Sequence, residues 1–292
     1  MIFLRVKLLL NLWASFGDFF QSIWNTVDEW CDSDPYVTVV WGSSLVTFFV
    51  YWTVGLLYTS IDLTGKPAFL AKYKIQDTTP YPVPLNQVLK IVEQILINQF
   101  LVGTPFIVGT YYSMFWFGYD TGRIIPTFQR FVLDFAAYLL IEEFIFYYGH
   151  RLLHHPRLYK YIHKRHHEWT APIAITALYC HPIEHCLCNL LPTSLGPLLL
   201  GSHMFTAWIW YSVALINTLN SHSGYHFPLC FSAEAHDFHH LKFNQNFGVL
   251  GILDFFHGTN SAFRNTKEYQ RHFVSLSLVP LKQLYPDDPK NK

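Results

Sequence analysis

Two runs without a charged side chain limit what this chain can become. Residues 37–61 and 94–119 hold 25 and 26 uncharged residues, each longer than the roughly 20 needed to cross a bilayer core as a helix. A third run, residues 186–219, holds 34. It is long for one span, and Pro192, Gly196, Pro197 and Gly201 break its centre. It predicts a helical hairpin that dips into the membrane and returns. Residues 131–149 are apolar except for Asp134, Glu142 and Glu143. Only 14% of the chain is charged, against about 25% in soluble domains. The expected fold is an all-α integral membrane protein: transmembrane helices plus a helical, cytosol-facing region rich in histidine.

Lys and Arg near span ends set orientation. Arg151, Arg157, Lys160, Lys164 and Arg165 crowd one loop without an acid, and the tail carries Arg264, Lys267, Arg271, Lys282, Lys290 and Lys292. Both segments are expected in the cytosol, as is the loop with Lys66, Lys72 and Lys74. The chain divides into an N-terminal segment (1–36), transmembrane helices (37–149), a histidine-rich region containing the hairpin (150–262) and a cytosolic tail (263–292). Arg5 and Lys7 precede an apolar run at residues 8–16 that looks slightly like a signal peptide. Without a convincing cleavage site, an interfacial helix is the expectation there, and disorder is expected after Pro286. A net charge of zero gives no field for nucleic acid. Five cysteines without a CxxC pair give no disulfide framework or zinc ribbon, and Cys186 and Cys188 read as apolar fillers.

Sixteen histidines are present, and none precedes residue 150. His150 and His154 form HRLLH, and His163, His166 and His167 form HKRHH. His222 and His226 form HSGYH, and His236, His239 and His240 form HDFHH. On a helix, positions i, i+3 and i+4 share one face, although Gly224 weakens a helix through HSGYH. Ten imidazoles exceed the needs of one metal ion. Two ions with about five each would keep an open position per ion, the mark of a catalytic rather than a structural site. Imidazole suits iron, zinc, copper and nickel alike. His181 and His185 read as spare ligands, supporting residues or packing residues, and His155, His203, His257 and His272 as structural. Metal-bound histidines usually pass their second N–H to a carboxylate or carbonyl. Glu143, Asp237 and Glu168 are the candidates for that support, with Glu184 a further one. The run His181-Pro182-Ile183-Glu184-His185 also matches the HxxEH zinc-peptidase pattern, a reading that leaves ten histidines without employment.

These boxes resemble the fatty acid hydroxylase/sterol desaturase superfamily over roughly residues 90 to 260. The runs HRLLHHPRLYKYIHKRHHEWTAP, YCHPIE and HHLKFNQNFGVLGILDFFHGT resemble its C4-methylsterol oxidase branch. The resemblance implies a di-iron, oxygen-activating enzyme of the endoplasmic reticulum membrane. It implies electrons from NAD(P)H through cytochrome b5 or its reductase, and the ten box histidines as iron ligands. It further implies oxidation of a sterol C4 methyl group in successive steps toward a carboxylate. Lys290-Asn291-Lys292 departs from the dilysine retrieval signal common in that branch, so residence in the reticulum rests on the resemblance alone. An unactivated C–H bond resists side-chain acids, bases and nucleophiles and needs a redox cofactor. No GxGxxG follows a predicted strand, which argues for a separate reductase. Fatty acid hydroxylation or sterol desaturation on the same scaffold, or a non-catalytic metal- or lipid-binding membrane regulator, stay open as alternatives.

Overall fold

The computed structural model describes residues 17–76 and 81–287. The readings made for residues 8–16 and for the tail beyond Asp287 lie outside them. Among the described residues every regular element is helical, with two isolated bridges and no strand.

Helix α1 (residues 17–30) is short and amphipathic. Its Trp24 is buried, packs edge-on against His203 and donates Nε1–H to the Gly122 carbonyl at 2.9 Å. Two long apolar helices follow, α2 (Val37–Thr64) and α3 (Leu85–Phe117), both long and apolar enough to cross a membrane. Less than a third of each apolar window is buried. Phe49, Leu56 and Leu57 of α2 and Leu101, Phe115 and Trp116 of α3 face outward. An exposed apolar surface of this extent suits lipid rather than water. Each helix contains a wider, π-type turn, at Val37–Gly42 and Ile97–Gly103; such turns are frequent at functional sites.

Helix α4 (Phe128–Leu153) starts at Thr127, whose hydroxyl accepts the Arg130 N–H. Its outer face is apolar (Leu133, Leu140, Phe144), while Asp134, Glu142 and Glu143 are buried inward. Helices α5 (Leu191–Leu199) and α6 (Met204–His222) are joined by a tight turn at residues 200–203. His203 caps α6 by accepting the Phe205 N–H and reaches the Gly122 carbonyl through Nε2 at 2.9 Å, a structural role. Gly196 of α5 lies so close to Tyr138 of α4 that a Cβ there would stand 2.8 Å from the ring.

Residues 171–178 thread through the interior as a buried segment that ends in a 3-10 turn, Ala174–Leu178. Buried carbonyls need partners, and the flanking helices supply them. Tyr51 of α2 donates to Ile175 O at 2.6 Å, and the Asn98 amide of α3 donates to Leu178 O and Cys180 O. Tyr51, Ile175 and Leu178 sit in the main apolar cluster with Ile91, Ile95, Ile173 and Leu219. Helix α7 (Glu234–Lys242) then closes over the open ends of α4 and α6. The chain returns across α7 through Arg271, which pairs with Glu234 at 2.8 Å and Asp287 at 2.7 Å. Asp287, expected in a disordered tail, is thus held in place.

Candidate metal centre

Four pieces of backbone converge at one end of the helices. The end of α4 presents His150 and, at its cap, His154. HKRHH folds as a 3-10 turn, His163–Glu168, rather than the α-helix its spacing suggests. His222 is the last residue of α6, and α7 carries His236, His239 and His240. The result is two groups of facing imidazoles. One holds His150, His154, His163, His167 and His239; the other holds His166, His222, His236 and His240; either could hold a metal ion. Within each, the ligand nitrogens lie within 4.8 Å of one another. Each HxxHH box is divided between them. Its i, i+4 pair enters one group and the intervening i+3 residue the other, so the boxes stitch two sites side by side, and the rings of His167 and His240 are only 4.7 Å apart.

The tautomers follow from the outer nitrogens. His150 Nδ1 is 2.8 Å from Phe247 O, and His239 Nδ1 is 2.6 Å from Gln245 O. His222, His240 and His166 do the same to the carbonyls of Thr218, Trp169 and Tyr179. A carbonyl only accepts, so these Nδ1 atoms carry the proton and each Nε2 keeps a lone pair. Yet His222 and His166 face each other Nε2 to Nε2 at 3.2 Å, with no proton between. His150–His163, His167–His163 and His239–His167 are separated by 3.1, 3.0 and 3.2 Å. Converging lone pairs repel unless a cation lies among them. Two cis ligands at about 2.1 Å from one metal stand about 3.0 Å apart, so the spacing fits that of a coordination shell. Burial, then neighbouring imidazoles, holds His163, His239 and His240 well below the usual histidine range, which keeps them neutral and free to ligate.

Of the candidate supporting carboxylates, the structure brings Glu184 to a grouped histidine. Glu184 lies with Oε1 2.8 Å from His163 Nδ1, both side chains buried, and is the acid that touches a ligand group directly. Glu143 touches no histidine. It accepts the N–H groups of Val249, Leu250 and Leu253 at 2.7–3.0 Å and so fixes the loop whose Phe247 carbonyl orients His150. Asp254 holds the same loop through Phe247 N and Gly248 N. Asp237 is bound to the Gln76 amide, and Glu168 accepts the Tyr179 hydroxyl at the surface; neither supports an imidazole directly. His226, expected as the tenth ligand, lies outside both groups. Gly224 takes φ +67°, which ends the helix after His222, so the i, i+4 relation fails. His226 Nε2 bonds Phe273 O at 3.0 Å instead. His181 caps Ile183 N while Glu184 faces His163, so HxxEH does not assemble as a peptidase site.

A cavity of about 460 Å³ opens from His150, His163, His166 and His222 and runs between α2, α3, α4 and α6. Apolar walls from Phe48, Phe100, Ile107, Phe146 and Leu215 suit a lipid within the usual size range of small-molecule sites.

A family model described as Fatty acid hydroxylase matches residues 135–259, the stretch that carries all nine grouped histidines. The chain is 44% identical over 282 residues to fatty acid hydroxylase domain-containing protein 2 of Homo sapiens, covering 97% of this chain and 85% of that protein. It is 32% identical to methylsterol monooxygenase 2-2 of Arabidopsis thaliana, covering 77% of this chain and 87% of that protein. A very-long-chain aldehyde decarbonylase of Oryza sativa subsp. japonica is also 32% identical, covering 77% of this chain and 88% of that protein. No solved structure matches. Near-full-length similarity and the histidine-bearing segment lead to one conclusion: the chain belongs to the fatty acid hydroxylase family.

Proposed function

We propose that the protein is a membrane di-iron oxygenase that hydroxylates a lipid C–H bond with O2, its substrate a sterol and the attacked carbon the C4 methyl group. The observation that carries this reading is the junction of two imidazole groups, five and four strong, with an apolar cavity lined by the long helices. Iron bound there supplies the redox chemistry that O2 activation and C–H cleavage demand and that zinc lacks. His150, His154, His163, His167 and His239 would hold one ion, and His166, His222, His236 and His240 the other. One oxygen atom enters the C–H bond and the other leaves as water, which requires two electrons and two protons. NAD(P)H through cytochrome b5 or its reductase is the proposed source. Arg151, Arg157, Lys160, Lys164 and Arg165 are exposed beside the buried imidazoles and offer an acidic donor a docking face on the proposed cytosolic side of the endoplasmic reticulum membrane.

The chain's own part is to position and to exclude water. Glu184 keeps the Nε2 of His163 aimed inward, and the carbonyls of Phe247, Gln245, Thr218, Trp169 and Tyr179 do so for His150, His239, His222, His240 and His166. The apolar cavity wall keeps bulk water from the reacting carbon. The methylsterol choice is supported by the similarity to methylsterol monooxygenase 2-2. Fatty acyl hydroxylation is the second reading, favoured by 38% identity over 210 residues to fatty acid hydroxylase ahd1 of Mycosarcoma maydis, a match covering 71% of this chain and 54% of that protein. Anaerobically purified, iron-loaded protein with cytochrome b5, its reductase and NADH should oxidise 4-methylsterols. Turnover of fatty acids instead would select the second reading, and reductant-independent lipid binding without O2 uptake would leave a non-catalytic regulator.

A further inference from the structure

His185 opens the π-type turn His185–Leu190, directly after the carboxylate that faces His163. It belongs to neither imidazole group, yet it is 97% buried and lines the same cavity as His150 and His163. Its Nδ1 lies 3.1 Å from Asn189 Nδ2. An amide nitrogen only donates, so Nδ1 accepts and the imidazole proton sits on Nε2. That Nε2–H has no partner among the described residues. It faces the space beside Gly103, where a Cβ would stand 3.9 Å away. The donor opens onto the cavity, so a ligand carrying an acceptor can meet it, whereas a ligand without one leaves it unpaired once the cavity is filled.

We propose that His185 is the specificity-determining residue of the cavity, donating Nε2–H to an oxygen of the lipid close to the carbon that is oxidised. This rests on the oxygenase reading above and deepens it. In a 4-methylsterol the 3-oxygen is three bonds from the methyl carbon, so an anchor at the rim of the metal centre holds that methyl group toward the imidazoles.

The test uses the full-length, iron-loaded protein with two probes, a 4-methyl-3β-hydroxysterol and its 3-deoxy counterpart. Equilibrium binding, kcat, KM and metal content are measured for wild type, His185→Phe and His185→Gln. Wild type should bind the hydroxysterol about tenfold more tightly than the deoxy probe, the effect of one neutral hydrogen bond. His185→Phe should erase that preference by raising Kd and KM for the hydroxysterol alone, with metal content unchanged. His185→Gln, which keeps an N–H donor, should restore part of it. An undiminished preference in His185→Phe, or equal weakening of both probes, overturns the inference. If His185→Phe fails to fold, His185→Gln decides: a folded, metal-loaded protein without any preference overturns it. A wild type that binds neither sterol defeats the sterol reading itself, and the assignment with it.

Discussion

At a single imidazole, the nitrogen that bears the proton decides what the ring can hold. Five Nδ1–H groups donated to carbonyls leave five Nε2 lone pairs pointing inward. His239→Ala should therefore lower bound metal, whereas His226→Ala, whose ring bonds Phe273 O, should leave it unchanged; metal analysis of the two variants side by side checks this. Glu184→Ala should weaken metal affinity about 10- to 100-fold, as for other carboxylates behind a ligating histidine, read by chelator competition. The box spacings made the histidines legible in the sequence, because i, i+4 pairs share a face of an α-helix, as His236 and His240 do on α7. His226 falls outside both groups because Gly224, with its positive φ, ends the helix before it. Glu184 was visible only as one acid among several, since its contact with His163 is made through tertiary structure.

Among the elements, the loop at residues 247–253 depends on one buried side chain of α4. Glu143 takes three backbone N–H groups, and its loss strands donors that each cost about 1–3 kcal/mol when buried unpaired. Glu143→Ala should lower the melting temperature and loosen His150, while Glu143→Gln, which keeps one carbonyl oxygen, should do so less; thermal denaturation with parallel metal analysis tests it. The acid's proximity to His150 along the helix was legible, but its true partners, distant backbone amides, were not. The long apolar helices α2 and α3 were legible from the absence of charge, except for the start of α3, which carries Lys90 and Glu93. Their π-type turns were not, because hydropathy carries no record of a one-residue widening. The division of each HxxHH box between two groups was hidden too. Spacing gives the angle between side chains and says nothing of how many centres they serve.

Across the whole molecule, the protonation of the buried imidazoles and the fold are coupled. In the metal-free protein burial and neighbouring imidazoles hold His163, His239 and His240 neutral, while in the unfolded chain they take protons below about pH 6.5. The unfolded state then binds more protons, so stability is full above that pH and is lost as pH falls below it. Metal-free protein should melt at a lower temperature at pH 5.5 than at pH 8, with metal-loaded protein more stable at both; an equal melting temperature at the two pH values would contradict the neutral, buried cluster. The most direct test of the central claim is the metal content of anaerobically purified protein by mass spectrometry. The account predicts two iron atoms per chain, falling in His163→Ala. Protein that folds and binds no metal, or that carries zinc alone and turns over lipid, would contradict it.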